Sequence, residues 1–252
     1  MNNPSRRPLA GISFLGISLL RRQSPWMTAW WSAAFPGFGH CLLNQKSRAI
    51  LLTLTEVIIN RLAHINEAIV YSFCGQFEAV KSVLSPQWAL GYIILYLFAI
   101  GDSYRSAVVQ NKMCRLAELE NQPLRPALLH PLEFQYMELK SPWLAAFYSF
   151  FSPGLGQLYN HQILFAFWAT LWWWVYLALS HTHEALVYLF LGRLQASTSL
   201  LHPRWYMFMP SVLGGSVYYA FITVIEHNRL FCLEQRRHLI ERYRNSQICI
   251  FP

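Results

Sequence analysis

Charge is scarce in this sequence. Asp, Glu, Lys and Arg together make up 13% of the chain, where a soluble globular domain carries roughly 25%. So few charges argue against a water-covered surface of ordinary kind. Paired cysteines are missing too. Cys41, Cys74, Cys114, Cys232 and Cys249 are odd in number and form no C-x-x-C, so neither a disulfide framework nor a zinc site is expected. Motifs of catalysis are absent as well: no Gly-rich phosphate loop, G-x-S-x-G, H-E-x-x-H or paired carboxylates. The chain's own PGFG and PGLG turns lack the lysine and hydroxyl of a phosphate loop. No enzymatic activity, cofactor or metal is therefore expected.

What the chain has in abundance is apolar. Hydrophobic residues make up 54% of its 252 positions and aromatics 16%, with 10 Trp, and the mean hydropathy is +0.25. Such a tryptophan content suits a protein with two water–lipid interfaces. The net charge of +8 could suit nucleic acid, but the basic residues flank apolar runs. That placement matches the inner-leaflet bias of membrane proteins, and no nucleic-acid partner is expected.

At the N-terminus, Arg6, Arg7 and Pro8 precede an apolar run that ends at Arg21 and Arg22. A cleaved signal is not expected, because arginines stand where small residues should. The run is also too short to span, and an interfacial helix is the expectation.

An internal repeat follows. SPWMTAWWSAAFPGFGHCLLNQ from Ser24 returns as SPWLAAFYSFFSPGLGQLYNHQ from Ser141, an offset of 117 residues. Downstream, His64, Glu67, Tyr71, Gly75, Pro86 and Trp88 meet His181, Glu184, Tyr188, Gly192, Pro203 and Trp205. A shift of seven residues in the second copy then pairs Arg105 with Arg229. The expected organisation is a basic N-terminal interfacial segment (1–23), membrane repeat 1 (24–105), a polar cytoplasmic linker with Pro123, Pro126 and Pro131 (106–140), membrane repeat 2 (141–229) and a basic tail (230–252).

Each unit holds two long apolar segments, 49–63 and 88–101 in the first, 163–180 and 205–225 in the second. The second pair has the uncharged length of spanning helices. In the first pair Glu56 and Arg61 interrupt one segment and Asp102 ends the other, so their repeat partners carry the assignment. Pro210, Gly214 and Gly215 should bend the last helix or admit a close neighbour. A shorter apolar segment opens each unit (26–35, 143–151) and stops at the turn Pro36, Gly37, Gly39 or Pro153, Gly154, Gly156. About ten helical residues rise only about 15 Å, half the hydrocarbon thickness. The segment is either a re-entrant, half-membrane hairpin or a span completed by irregular chain.

Lys and Arg cluster at the N-terminus, at Lys46 and Arg48, in the linker and in the tail. If all are cytoplasmic, each unit crosses twice and its hairpin re-enters. The expected fold is thus an all-α, polytopic membrane protein of two parallel repeats, with both termini in the cytoplasm. In the tail, 226–244 is expected to extend the last helix as a basic segment.

The candidate site is a polar stripe. Thr53, Glu56, Asn60, His64 and Glu67 follow at three- and four-residue steps on one helical face. An ionisable group at that depth usually faces a bundle interior or water. The stripe is either an ion path with Glu56 titrating or a seam that ties helices by hydrogen bonds. The second copy keeps Thr170, His181 and Glu184 but has Trp173 and Leu177 in place of Glu56 and Asn60. His64 with Glu67, and His181 with Glu184, are expected as outer-edge contacts that fix helix ends rather than as metal ligands. Asp102 with Arg105, and Glu226 with Arg229, are expected as local pairs at the cytoplasmic border.

SPWLAAFYSFFSPGLGQLYN and its echo SPWMTAWWSAAFPGFGHCLLN resemble the opening of small bacterial membrane proteins with a short helix, a P-G-x-G turn and a longer helix. The stretch HINEAIVYSFCGQFEAVKSVLSPQWALGYIILYLFAIGDSYR is similar to uncharacterised duplicated membrane proteins of spore-forming Gram-positive bacteria. In the turn the first copy departs, with Cys41-Leu42 where the second has Leu158-Tyr159. The resemblance implies a bacterial plasma membrane location and a helical hairpin; it implies no activity. The expected partners are the lipid bilayer and either another membrane protein or a second copy of the chain. The expected role is scaffolding or regulation, with ion translocation through the Glu56 stripe as the alternative.

Overall fold

A computed structural model describes residues 9–13, 16–120, 127–129 and 134–243. The N-terminal run forms two strands, β1 (Ala10–Ser13) and β2 (Gly16–Leu19), paired antiparallel with Ala10 opposite Leu19. This corrects the expected interfacial helix. Gly11 and Gly16 weaken a helix and β-branched Ile12 and Ile17 favour a strand. Arg6 and Arg7 lie outside the described residues.

The rest is helical: α1 (Pro25–Ala34), α2 (Phe38–Leu42), α3 (Lys46–Ala63), α4 (Ile65–Phe73), α5 (Phe77–Val83) and α6 (Pro86–Leu119). A second hairpin, β3 (Ala127–Leu129) with β4 (Phe134–Tyr136), precedes α7 (Pro142–Phe151), α8 (Leu155–Tyr159), α9 (Ile163–Leu179), α10 (Thr182–Phe190), α11 (Leu194–Leu200), α12 (Pro203–Tyr206) and α13 (Met209–Arg242). The starts of α1, α3, α4, α5 and α6 recur 117 residues later in α7, α9, α10, α11 and α12, to the residue. Positive φ recurs at the same offset: Gly37 and Gly154, Asn44 and His161, His64 and His181, Gly75 and Gly192.

One expected boundary moves and one expected shift falls away. Helix α6 continues past residue 105 to Leu119, so much of the expected linker is helix; Pro123, Pro126 and Pro131 lie outside the described residues. The seven-residue shift is not needed. Asn111 Oδ1 accepts from Gln23 N (2.9 Å) and its Nδ2 donates to Gln23 O (2.8 Å). Asn228 makes the same two bonds with Lys140, at 2.9 and 2.7 Å. Both members of each pair stand 117 residues apart, which sets Arg105 against Ile222 rather than Arg229.

Two helical stretches, Pro86–Leu119 and Pro203–Arg242, are long and apolar enough to cross a membrane. A third exists if Ile163–Leu179 and Thr182–Phe190, bent by 64°, count as one. Helix α3 falls short on composition, with Lys46, Arg48, Glu56 and Arg61 in 18 residues. Pro210 does not bend the last helix but opens it, in the first turn of α13. Gly215 admits a close neighbour: a Cβ there would sit 2.4 Å from the Phe38 ring.

Large apolar side chains are numerous on the outside, and polar ones are buried beside the hydrophobic clusters. Trp26, Trp30, Leu51, Leu97, Trp143, Phe150, Phe167 and Trp174 are all exposed, while Thr28, Ser32, Glu56, Asn60, Ser103, Ser149 and Asn160 are buried. An aromatic cluster of Phe35, Tyr176 and Phe208 joins the two halves, with Tyr176 stacked on Phe208 at 5.2 Å.

Candidate functional site

The PGxG turns come first because they place α3 and α9. In the first, Gly37 takes φ +96°, and a Cβ there would lie 2.7 Å from Ala49 O and 2.8 Å from Thr53 Oγ1. In the second, Gly154 takes φ +111° with Thr170 Oγ1 at 2.0 Å from that Cβ position. Only glycine satisfies both the left-handed backbone and the contact. The threonine hydroxyls donate to the turn, Thr53 to Pro36 O (3.5 Å) and Thr170 to Pro153 O (3.1 Å). Two residues on, Gly39 and Gly156 let the short helix touch its neighbours' backbones; added Cβ atoms would sit 2.2 Å from Thr28 O and 2.3 Å from Ala145 O.

Both ends of each hairpin lie at one end of the molecule. Buried Arg21 donates from Nε to Leu42 O at the end of α2 (2.9 Å) and from Nη1 to Thr223 Oγ1 (2.9 Å). Buried Lys140 donates to Tyr159 O at the end of α8 (2.7 Å). A cation on the last carbonyl is a favourable helix stop. The sequence placed Arg21 at a headgroup surface; the structure places it inside. Arg22 pairs with Glu118, which also meets Arg229 at 3.4 Å.

The expected stripe on α3 divides into three. Thr53 serves the turn. Glu56 is 1% exposed, and its Oε1 accepts from Asn60 Nδ2 and Tyr92 OH, each at 3.1 Å. Asn60 exchanges bonds with Asn66, Nδ2 to Oδ1 at 3.0 Å, and Asn66 donates to Arg204 O at 2.8 Å. This network ties α3 to α4, α6 and the start of α12. Glu56 Oε2 is buried and unpaired among the described residues. His64 stands between α3 and α4 in the left-handed region, which turns the stripe aside before Glu67.

Glu67 forms the outer group, with His64 Nδ1 at 3.0 Å and an ion pair to Arg204. Partial burial pushes its carboxyl up, but hydrogen bonds and charge from Arg204 and His64 outweigh it and hold the group below the usual carboxylate range. In the second half His181 Nδ1 meets Glu184 at 3.3 Å, with His202 against the His181 ring at 4.9 Å. Among the described residues no three His, Cys, Asp or Glu gather into a metal-binding set.

At the other end, Asp102 bonds Arg105 (3.0 Å), as its spacing suggested, and Glu226 bonds Arg229 (2.9 Å). Asp102 also gathers His40 Nε2 at 3.0 Å and Arg48 at 3.1 Å. Sequence reasoning missed His40 and Arg48 as partners of Asp102, and missed Tyr92, Asn66 and the Asn111 and Asn228 clamps. An unbroken offset of 117 would have revealed the two asparagines.

Comparison with known protein families, curated proteins and solved structures finds no match.

Proposed function

We propose that this is a multi-pass membrane protein of two parallel repeats, crossing four times, with both termini in the cytoplasm. Its partners are the bilayer and other membrane proteins, which it scaffolds or regulates without catalysis. The many exposed large apolar side chains support the lipid setting, since outward tryptophans and leucines suit hydrocarbon, and the buried hydroxyls and amides suit helix contacts. Hairpin ends that meet at the basic end support re-entry from the cytoplasmic side. The likeness to duplicated membrane proteins of Gram-positive spore-formers agrees with a bacterial plasma membrane.

The observation that carries the non-transport reading is the fate of the stripe. Its polar groups bond to one another and to backbone, and His64 breaks its line, so it acts as a seam between helices. The second reading, ion translocation, rests on the unpaired Oε2 of Glu56. Proteoliposomes decide between them. The wild type is expected to carry no pH-dependent ion flux; a flux abolished by Glu56→Gln would replace the scaffold with a transporter.

A further inference from the structure

Beyond α9 the chain leaves the bundle at Ser180 and returns at His202, whose N donates to Ser180 O at 3.1 Å. Between those points α10 and α11 form a helical arm. Ser197 Oγ donates to Ala185 O at 2.7 Å, and both small residues are buried where the two helices meet. The arm is thus closed at its base and packed on itself. Its outside is apolar: Leu186, Val187, Leu189, Phe190, Leu191 and Leu194 are exposed, Phe190 to 86%. No charge falls between Glu184 and Arg193, while Gln195, Thr198 and Ser199 give α11 an exposed polar side.

Length and angle place this apolar side against lipid. On α9, Phe167, Leu171 and Trp174 are exposed along one stripe, which faces hydrocarbon under the membrane reading, and α10 leaves α9 at 64°. The 17 residues of α9 rise about 25 Å, and the 9 of α10 add only about 6 Å along that direction. Together they climb about 31 Å, close to the hydrocarbon thickness of about 30 Å. The arm therefore runs out sideways along the outer edge of the hydrocarbon instead of standing up into water. At its base His181 and His183 both meet Glu184, and at its tip Arg193 has the reach to put its guanidinium among headgroups. The arm of the first half differs. At the same offset it has exposed Ser72 for Leu189, and an exposed ion pair, Glu78 with Lys81, for Gln195 and Thr198. That arm suits water.

We infer that the α10–α11 arm lies in the outer leaflet, with Phe190 and its apolar neighbours among the lipid chains. It acts as an interfacial anchor that reaches beyond the second repeat, in the way amphipathic helices bind a bilayer surface. The inference rests on the membrane reading and adds to it a lipid contact made by one repeat alone.

The test is spin labelling of the full chain in liposomes of phosphatidylglycerol and phosphatidylcholine, with its native cysteines replaced by alanine. Single labels enter through Val187→Cys, Phe190→Cys, Gln195→Cys and Phe167→Cys, all at positions outside the packed core. Oxygen relaxes a label in lipid, and a water-soluble nickel chelate relaxes one in water. Labels at 187 and 190 are expected to be reached by oxygen and shielded from nickel, like the label at 167, while the label at 195 is reached by nickel. Adding Phe190→Glu, at a side chain that is mostly exposed, should shift the label at 187 toward nickel. Nickel access at 187 and 190 in the parent chain would overturn the inference. So would shielding from both reagents, since a protein partner or a second copy would then cover the arm. An unchanged label at 187 in Phe190→Glu would overturn Phe190 as the anchor. The label at 167 tells the two failures apart: lipid there with water at 190 removes the arm's role alone, and water at both removes the membrane reading beneath it.

Discussion

Gly37 and Gly154 are the residues on which the hairpins turn. At Gly154 a methyl group would meet both a positive φ and Thr170 Oγ1 at 2.0 Å. The left-handed backbone alone costs a non-glycine residue about 1–2 kcal/mol, and the overlap adds to it. Gly154→Ala is therefore expected to destabilise by at least about 2 kcal/mol, read as a lowered midpoint of thermal unfolding in detergent. Glu67 makes a different prediction. Its folded pKa lies below the unfolded value, so its contribution is complete above about pH 4.3 and is lost as pH falls through the folded value. Wild type should be the more stable of the pair with Glu67→Gln near pH 7, and the two should converge as pH falls below 4. A constant gap between them down to pH 3 would show that Arg204 and His64 do not favour the charged form.

At the scale of elements, Asn111 and Asn228 hold the chain just before α1 and α7 by two bonds each. Asn228→Ala frees both backbone groups of Lys140 and is expected to cost about 1–3 kcal/mol, measured by the same unfolding midpoint; Asn111→Ala should cost the same within error. The element pattern was legible where it rests on local chemistry. Pro-Gly turns stop α1 and α7, serines and prolines start them, and apolar runs mark α9 and α13. It was not legible where partners are distant in sequence. Nothing near Asp102 announces His40, and nothing near Arg21 announces that Leu42 and Thr223 will bury it. The α3 stripe shows both cases. Its spacing put Glu56 and Asn60 on one buried face, but the left-handed turn at His64, which recurs at His181, is announced by no periodicity. The strands of the N-terminal hairpin were missed because periodicity alone does not separate a short apolar strand from a helix, and the glycines and isoleucines that do separate them here were not weighed.

For the whole molecule, the account depends on which end faces which side of a bilayer. The basic N-terminal segment, the starts of α3 and α9, the far end of α6 and the later part of α13 meet at one end, through Arg21–Leu42, Lys46–Phe165, Arg48–Asp102 and Glu118–Arg229. The loops with Glu67, Arg204, His181 and His202 meet at the other. Cysteines report on both ends. Cys114 does not serve, because it is buried and would resist reagent from either side. Cys74, beyond α4, and Cys232, on the far part of α13, are both exposed. The direct measurement is labelling of single-cysteine variants with a membrane-impermeant maleimide in intact cells and after permeabilisation. The account predicts that Cys74 reacts in intact cells and Cys232 only once the membrane is opened. Labelling of both in intact cells, or of Cys232 alone, would contradict it.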